Sequence, residues 1–157
     1  MTATADNPEN CSRCARPPAL CICDRVQPVE TGLRVVILQH PREDDALLGT
    51  ARLVTLTLPR AEVRVGLSWP SLAGALGDPQ ADHHRWAVLA ATKVPDAALA
   101  AARRDQVALL DRHGALLDRR RHGLEGILVL DGPWSQAKTL WWRNPWLLKL
   151  PRLVLVP

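Results

Sequence analysis

Gly126-Ile127-Leu128-Val129-Leu130-Asp131-Gly132-Pro133-Trp134-Ser135-Gln136-Ala137 is the stretch whose reading decides the fold. Its unbroken apolar run reads as a buried strand, and Asp131 emerges at the carboxyl end of that strand, where open α/β sheets bind ligands. A carboxylate at such an address suits an active-site acid. A second reading stays open, in which Asp131 and Pro133 punctuate a turn and cap the next helix.

Working outward, strand-like and helix-like segments alternate from Leu33 onward. Residues 33–39 read as a strand, 46–57 as a helical or mixed segment, 62–66 as a strand with alternating Val63 and Val65, and 68–76 as a short helix. A third strand is expected at 86–91. Residues 96–113 then show an N-cap acid, Asp96, before an Ala-rich stretch with Leu99, Ala102, Gln106, Leu109 and Leu110 at helical spacing. Strands at 126–130 and 152–156 flank a Trp-rich helix. Loops are expected at 74–84 and 113–123. This alternation predicts an α/β domain with a mostly parallel sheet and flanking helices. Neither a Gly-x-Gly-x-x-Gly after the first strand nor a Walker-type glycine loop occurs, so an ordinary dinucleotide fold or P-loop is not supported.

With 157 residues, 47% of them hydrophobic, the chain fits one domain with a substantial core. It contains six Trp but neither Phe nor Tyr, so tryptophan must supply any stacking the function needs. The polar start MTATADNPEN lacks a signal-peptide pattern and no run is long enough to span a bilayer, which leads to the expectation of a cytoplasmic, soluble protein. The net charge of +4 is carried by residues 61–157, where thirteen basic residues face nine acids, whereas residues 1–60 hold seven of each. Any anionic partner is therefore expected to meet the second part. Arg119, Arg120 and Arg121, with Arg103, Arg104, Lys138 and Arg143, form a candidate phosphate-binding face; a solvated helix and loop surface is the other reading. Glu43, Asp44 and Asp45 read as an acidic cluster at a helix amino terminus rather than as a metal site.

All four cysteines fall in Cys11-x2-Cys14-x6-Cys21-x-Cys23. Four thiolates so close together match a tetrahedral zinc site, with an iron–sulfur cluster ranked second and disulfides disfavoured where no secretion signal is seen. Four protein ligands leave no open position, so the metal is expected to be structural. The resulting division is a disordered tail at 1–10, a four-Cys zinc knuckle at 11–30 and an α/β domain at 31–157. Trp134, Trp141, Trp142 and Trp146 stand at helical spacings; Trp134 is expected near a ligand and at least one of Trp141 and Trp142 in the core.

With the cysteine cluster, Leu38-Gln39-His40-Pro41-Arg42-Glu43 and Asp131-Gly132-Pro133-Trp134-Ser135-Gln136-Ala137 in hand, the chain resembles the DTW-domain family. The resemblance runs from Cys11 to the end and includes Thr50, Trp146-Leu147 and Leu150-Pro151-Arg152. It implies a SPOUT-like fold and a tRNA-uridine aminocarboxypropyltransferase, with S-adenosylmethionine as donor and N3 of a tRNA uridine as acceptor. On that resemblance Asp131 takes the N3 proton, Gln39, His40, Pro41, Gly132 and Trp134 contact the donor, and Arg119, Arg120, Arg121, Lys138 and Arg143 contact tRNA. Two departures accompany it. The family's Asp-x-Thr-Trp signature becomes Asp131-Gly132-Pro133-Trp134, which removes a hydroxyl and an N–H next to the tryptophan. Family members also continue past the segment matching residues 150–157, so the expectation is a domain lacking the usual carboxyl-terminal segment. A catalytically inactive zinc- and RNA-binding relative is the alternative expectation.

Overall fold

The structure is a computed structural model that describes residues 9–43, 49–90, 96, 100 and 106–155. Among these residues the strands are β1 (Arg34–Gln39), β2 (Ala61–Val65), β3 (Trp86–Leu89), β4 (Val107–Leu110), β5 (Gly126–Asp131) and β6 (Arg152–Leu155). They form one sheet in the order β2-β1-β5-β3-β6-β4. Every pairing is parallel except that of β4, which joins the edge antiparallel to β6. The helices are α1 (Thr50–Thr57), α2 (Leu72–Leu76), α3 (Arg119–His122) and α4 (Trp134–Arg143). The architecture is α/β, with a mostly parallel sheet and flanking helices.

Side-chain alternation along the strands sends Val36, Leu38, Val88 and Leu128 to one face, where they pack with Leu72, Trp86, Trp146, Leu147 and Leu150. Ala87, Leu109 and Leu153 face the other way, against Leu124 and Ile127. Both faces are thus covered, as a parallel sheet requires. Gly126 opens β5 beside Trp86, and a Cβ at position 126 would run into the Trp86 ring. The missing side chain therefore lets the indole lie flat on the strand.

The sequence reading of 96–113 as one helix is corrected. Asp96 and Ala100 are helical, but Val107–Leu110 is strand β4. Four consecutive apolar residues satisfy helical and buried-strand patterns alike, and here Gln106 adopts φ 57, which breaks any helix before the run. The expected helix at 68–76 is shortened to α2. Pro70 disfavours helical backbone at Trp69, and Ser71 caps the helix by accepting a hydrogen bond from Gly74 N at 3.1 Å. Gly74 to Leu76, where the expected helix and the expected loop overlap, belong to α2. Arg119, Arg120 and Arg121, expected in a loop, form α3, capped by Asp118 and ended by Gly123 at φ 68. The described helix α1 begins at Thr50, so Glu43 does not stand at its amino terminus; its amide donates to His40 O at 2.9 Å. Asp44, Asp45, Arg103 and Arg104 lie outside the described residues.

Candidate functional site

The chain leaves β1 towards β2 on one side and leaves β5 towards β6 on the other. Connections that diverge from neighbouring parallel strands open a crevice at their carboxyl ends, the switch point at which open α/β sheets take ligands. Gln39 ends β1, Asp131 ends β5, and the two are register partners. Gln39 Nε2 donates to Asp131 Oδ2 at 2.8 Å, fixing the carboxylate plane and leaving Oδ1 without a protein donor among the described residues. The next residue of β1's chain, His40, is buried; its amide donates to Asp131 O at 3.4 Å, and its Nδ1 accepts from Arg42 N at 3.1 Å. That acceptor role leaves the Nε2 edge as the side available for donation.

Beyond Asp131 the chain turns at Gly132, whose φ of 140 is a conformation side chains rarely tolerate, and a Cβ there would meet Gln136 Oε1 at 2.8 Å. Pro133 caps α4 from its amino end, and its carbonyl accepts from Gln136 N and Ala137 N, both at 2.9 Å. The turn sets Trp134 on the surface, 75% exposed. Trp142 is also exposed, Trp141 packs against the core and Trp146 is buried. The far end of α4 is anchored by Asn144, which is fully buried. Asn144 accepts from Trp69 N at 2.8 Å and donates to Leu67 O at 3.0 Å and Leu140 O at 2.8 Å. Trp146 Nε1 donates to Trp69 O at 2.9 Å, so the segment after β2 and the end of α4 are locked together.

Between α4 and the carboxyl ends of β3, β5 and β6 lies a cleft of about 950 Å³. Its walls are apolar or aromatic, including Leu89, Leu130, Trp134, Trp141 and Val154, and among the described residues its cationic side chains are Lys138 and Arg152. Of the residues picked from sequence, Trp134 and Lys138 line it. Gln39, His40 and Gly132 cluster around Asp131 beside it, while Pro41 is exposed after β1. Leu89, Ala90 and Arg152 were missed. The arginine within an otherwise apolar closing strand was the signal available for finding it.

The basic residues do not gather on one element. Lys138 and Arg143 are exposed on α4. Arg119, Arg120 and Arg121 are exposed on α3, which leads into Gly123, whose carbonyl accepts from Arg85 Nε at 3.3 Å just before β3 begins. They stand at the amino edge of the sheet, separated from Asp131 by the length of β5, about 17 Å at 3.3 Å per residue.

The four cysteines converge, with all Sγ atoms within 4.8 Å of one another. Cys11 and Cys23 Sγ are 3.6 Å apart, and those of Cys14 and Cys21 are 3.8 Å apart. Tetrahedral Zn–S bonds of about 2.3 Å place sulfurs about 3.8 Å apart, so the cluster fits a metal ion of that kind. Electrostatics agree with the geometry. The Cys14 and Arg13 backbone amides and the Cys23 thiol bring Cys11 down to about 6, whereas loss of water and the neighbouring sulfurs push Cys23 up to about 12. Cys11 and Cys14 thus ionise more readily than Cys21 and Cys23. Arg52 of α1 ties this cluster to the sheet domain, its guanidinium donating to Arg13 O at 2.8 Å and Ser12 O at 3.0 Å.

The DTW domain model matches residues 8–157, and the chain belongs to the DTW-domain family. Similar proteins include tRNA-uridine aminocarboxypropyltransferase 2 of Mus musculus, 28% identical over 162 residues, covering 96% of this chain and 46% of that protein. The protein of the same name from Drosophila melanogaster is 30% identical over 162 residues, covering 99% of this chain and 58% of the relative. That from Macaca fascicularis is 28% identical over 146 residues, covering 85% and 41%. The chain therefore spans about half the length of these curated relatives. No solved structure matches it significantly. Among the described residues, no helix is long and apolar enough to cross a membrane.

Proposed function

We propose that the protein transfers the 3-amino-3-carboxypropyl group from S-adenosylmethionine to N3 of a uridine in tRNA. The observation that carries this reading is the Asp131 carboxylate, held by Gln39 at the switch point beside a cleft with an aromatic wall. The family membership and the names of the relatives support the reaction class.

The donor fits the cleft by its chemistry: Trp134 offers a face to adenine, the apolar walls suit the thioether end, and the shielded Arg152 Nε has no hydrogen-bond partner among the described residues. When bound, the donor supplies a carbon activated by a sulfonium leaving group. What the chain supplies is position and a proton acceptor. The free oxygen of Asp131 accepts the uracil N3 proton as N3 attacks, and Gln39 holds the carboxylate so that this oxygen points outward. In-line placement of the reacting atoms at about 3–3.5 Å decides which of the three carbons on sulfur is transferred.

Zinc is assigned to Cys11, Cys14, Cys21 and Cys23 in a closed structural site, at the centre of a knuckle spanning 11–30 that precedes the catalytic domain at 31–157. tRNA phosphates are assigned to Lys138 and Arg143 near the cleft, with Arg119, Arg120 and Arg121 extending the positive field along the sheet edge. A second reading, an RNA-binding relative without transfer activity, rests on Pro133, which offers no hydroxyl and no N–H at the mouth of α4. The test is nucleoside mass analysis of tRNA incubated with the purified, zinc-loaded protein and S-adenosylmethionine. The aminocarboxypropyl uridine adduct supports transfer; tRNA binding with no adduct supports the second reading.

A further inference from the structure

Arginines are rare on the interior strands of a parallel sheet, because both faces are covered and a charge there loses its water. This sheet has two. Arg34 on β1 is fully provided for: its guanidinium meets Glu62 at 3.0 Å and Asp78 at 3.8 Å and lies over the Trp86 ring at 5.4 Å. Arg152 opens β6, which lies between β3 and β4, and pairs with Val88 and Leu110. Val88 belongs to the core face on which Trp141 also packs, so Arg152 projects towards α4 and into the cleft wall. Its Nε is shielded from solvent, yet among the described residues its side chain has no hydrogen bond and no ion pair. Among the described residues no carboxylate lines the cleft. A half-buried cation with a shielded Nε, beside an aromatic wall and without a counter-ion among the described residues, is matched by a ligand with an aromatic body and a recessed carboxylate.

We infer that Arg152 anchors the α-carboxylate of the donor's aminocarboxypropyl group, an assignment that rests on the donor reading above. Arg is suited to the task because its planar fork meets a carboxylate through two parallel N–H···O bonds. Lys138, exposed at the same cleft, remains available to the RNA backbone. The anchor would act as a positioning residue, holding the three-carbon chain on the sheet side of the cleft. It also gives the reaction a release step. Once the chain has moved to N3 and the C–S bond has broken, methylthioadenosine carries no carboxylate and loses its hold on Arg152.

The test is calorimetric binding of S-adenosylmethionine and of decarboxylated S-adenosylmethionine to the zinc-loaded full chain, as wild type, Arg152→Gln and Arg152→Lys. Losing a charge-assisted pair lowers affinity by about ten- to a hundredfold. The wild type should prefer the carboxylated ligand by that factor, Arg152→Gln should erase the preference by weakening that ligand alone, and Arg152→Lys should restore part of it. An equal loss for both ligands, no loss for either, or a loss of tRNA binding in its place would overturn the assignment. The wild type provides a check that needs no variant: S-adenosylhomocysteine, which keeps the carboxylate, should displace bound donor at lower concentration than methylthioadenosine. Equal potency contradicts the anchor. Failure of wild type to bind any of these adenosyl ligands removes the donor reading itself and the anchor with it, whereas binding without carboxylate preference removes only the anchor.

Discussion

Gln39 and Asp131 end two neighbouring parallel strands in register, and the amide of one donates to the carboxylate of the other at 2.8 Å. The pair joins positions 92 residues apart in sequence, and the strands place it where the connections diverge. On the proposed transferase reading the two duties are separate: Gln39 orients and Asp131 accepts the proton. Asp131→Asn keeps the shape and removes the base, so transfer should fall by about 10²- to 10⁴-fold with donor affinity little changed. Gln39→Leu should lower turnover by a smaller factor, because the carboxylate remains but swings. Single-turnover rates with saturating tRNA check both, and unchanged turnover in Asp131→Asn would remove the assignment of the base.

The cysteine cluster and α1 meet through Arg52, which donates to the carbonyls of Ser12 and Arg13. Cys21→Ser should release zinc and lower thermal stability, since a structural metal site contributes folding energy. Arg52→Ala should retain zinc but loosen the knuckle from the domain, at about 1 kcal/mol or less for exposed hydrogen bonds. Metal content and hydrogen exchange of residues 11–16 distinguish the two variants. Full zinc content in Cys21→Ser would contradict the four-ligand site.

Asn144 uses its carbonyl and both amide hydrogens with no exposure to solvent. Asn144→Leu leaves the Trp69 amide and the Leu67 carbonyl without that partner, an expected loss of about 2–4 kcal/mol. Chemical denaturation reads it. A loss below about 0.5 kcal/mol, the scale of an ordinary surface change, would show that Asn144 does not anchor the end of α4.

Asp111 holds the turn after β4, its carboxylate accepting from Ala115 N at 2.8 Å and His113 N at 2.9 Å. Those amides, Ala115 first, lower its pKa below the ordinary carboxylate value. A group depressed in the folded state contributes stability above its unfolded pKa and loses it as pH falls through the folded value. The amide of Ala115 should therefore lose exchange protection on acidification in the wild type. In Asp111→Asn, protection should be lower at neutral pH and should lack that acid-dependent step. Identical acid profiles would contradict the role.

The parallel sheet was legible because β1 and β5 are apolar runs bounded by polar turns, and Asp131 was legible because such a run ends on it. Strand β4 was hidden by its ambiguous pattern: Val107 to Leu110 carries no alternation, and only the antiparallel partner Arg152 to Leu155 settles it as a strand. The cysteine convergence followed from close spacing. The Gln39–Asp131 bond did not, because register between distant strands is written in tertiary packing and in no local motif. Arg152 was quoted among the family-like residues without a role. Its significance lies in what surrounds it, the covered face and, among the described residues, the absence of a counter-ion, and those are properties of the assembled sheet.

The most direct test of the transferase account is tRNA-dependent release of methylthioadenosine from S-adenosylmethionine, measured for zinc-loaded wild type beside Asp131→Asn. The account predicts release by the wild type only when tRNA is present, with the aminocarboxypropyl adduct appearing in equal amount, and at least a hundredfold less with Asp131→Asn, at the low end of about 10²–10⁴ for loss of a general base. Folded wild-type protein that binds tRNA yet yields neither product, or equal release by both proteins, would contradict it.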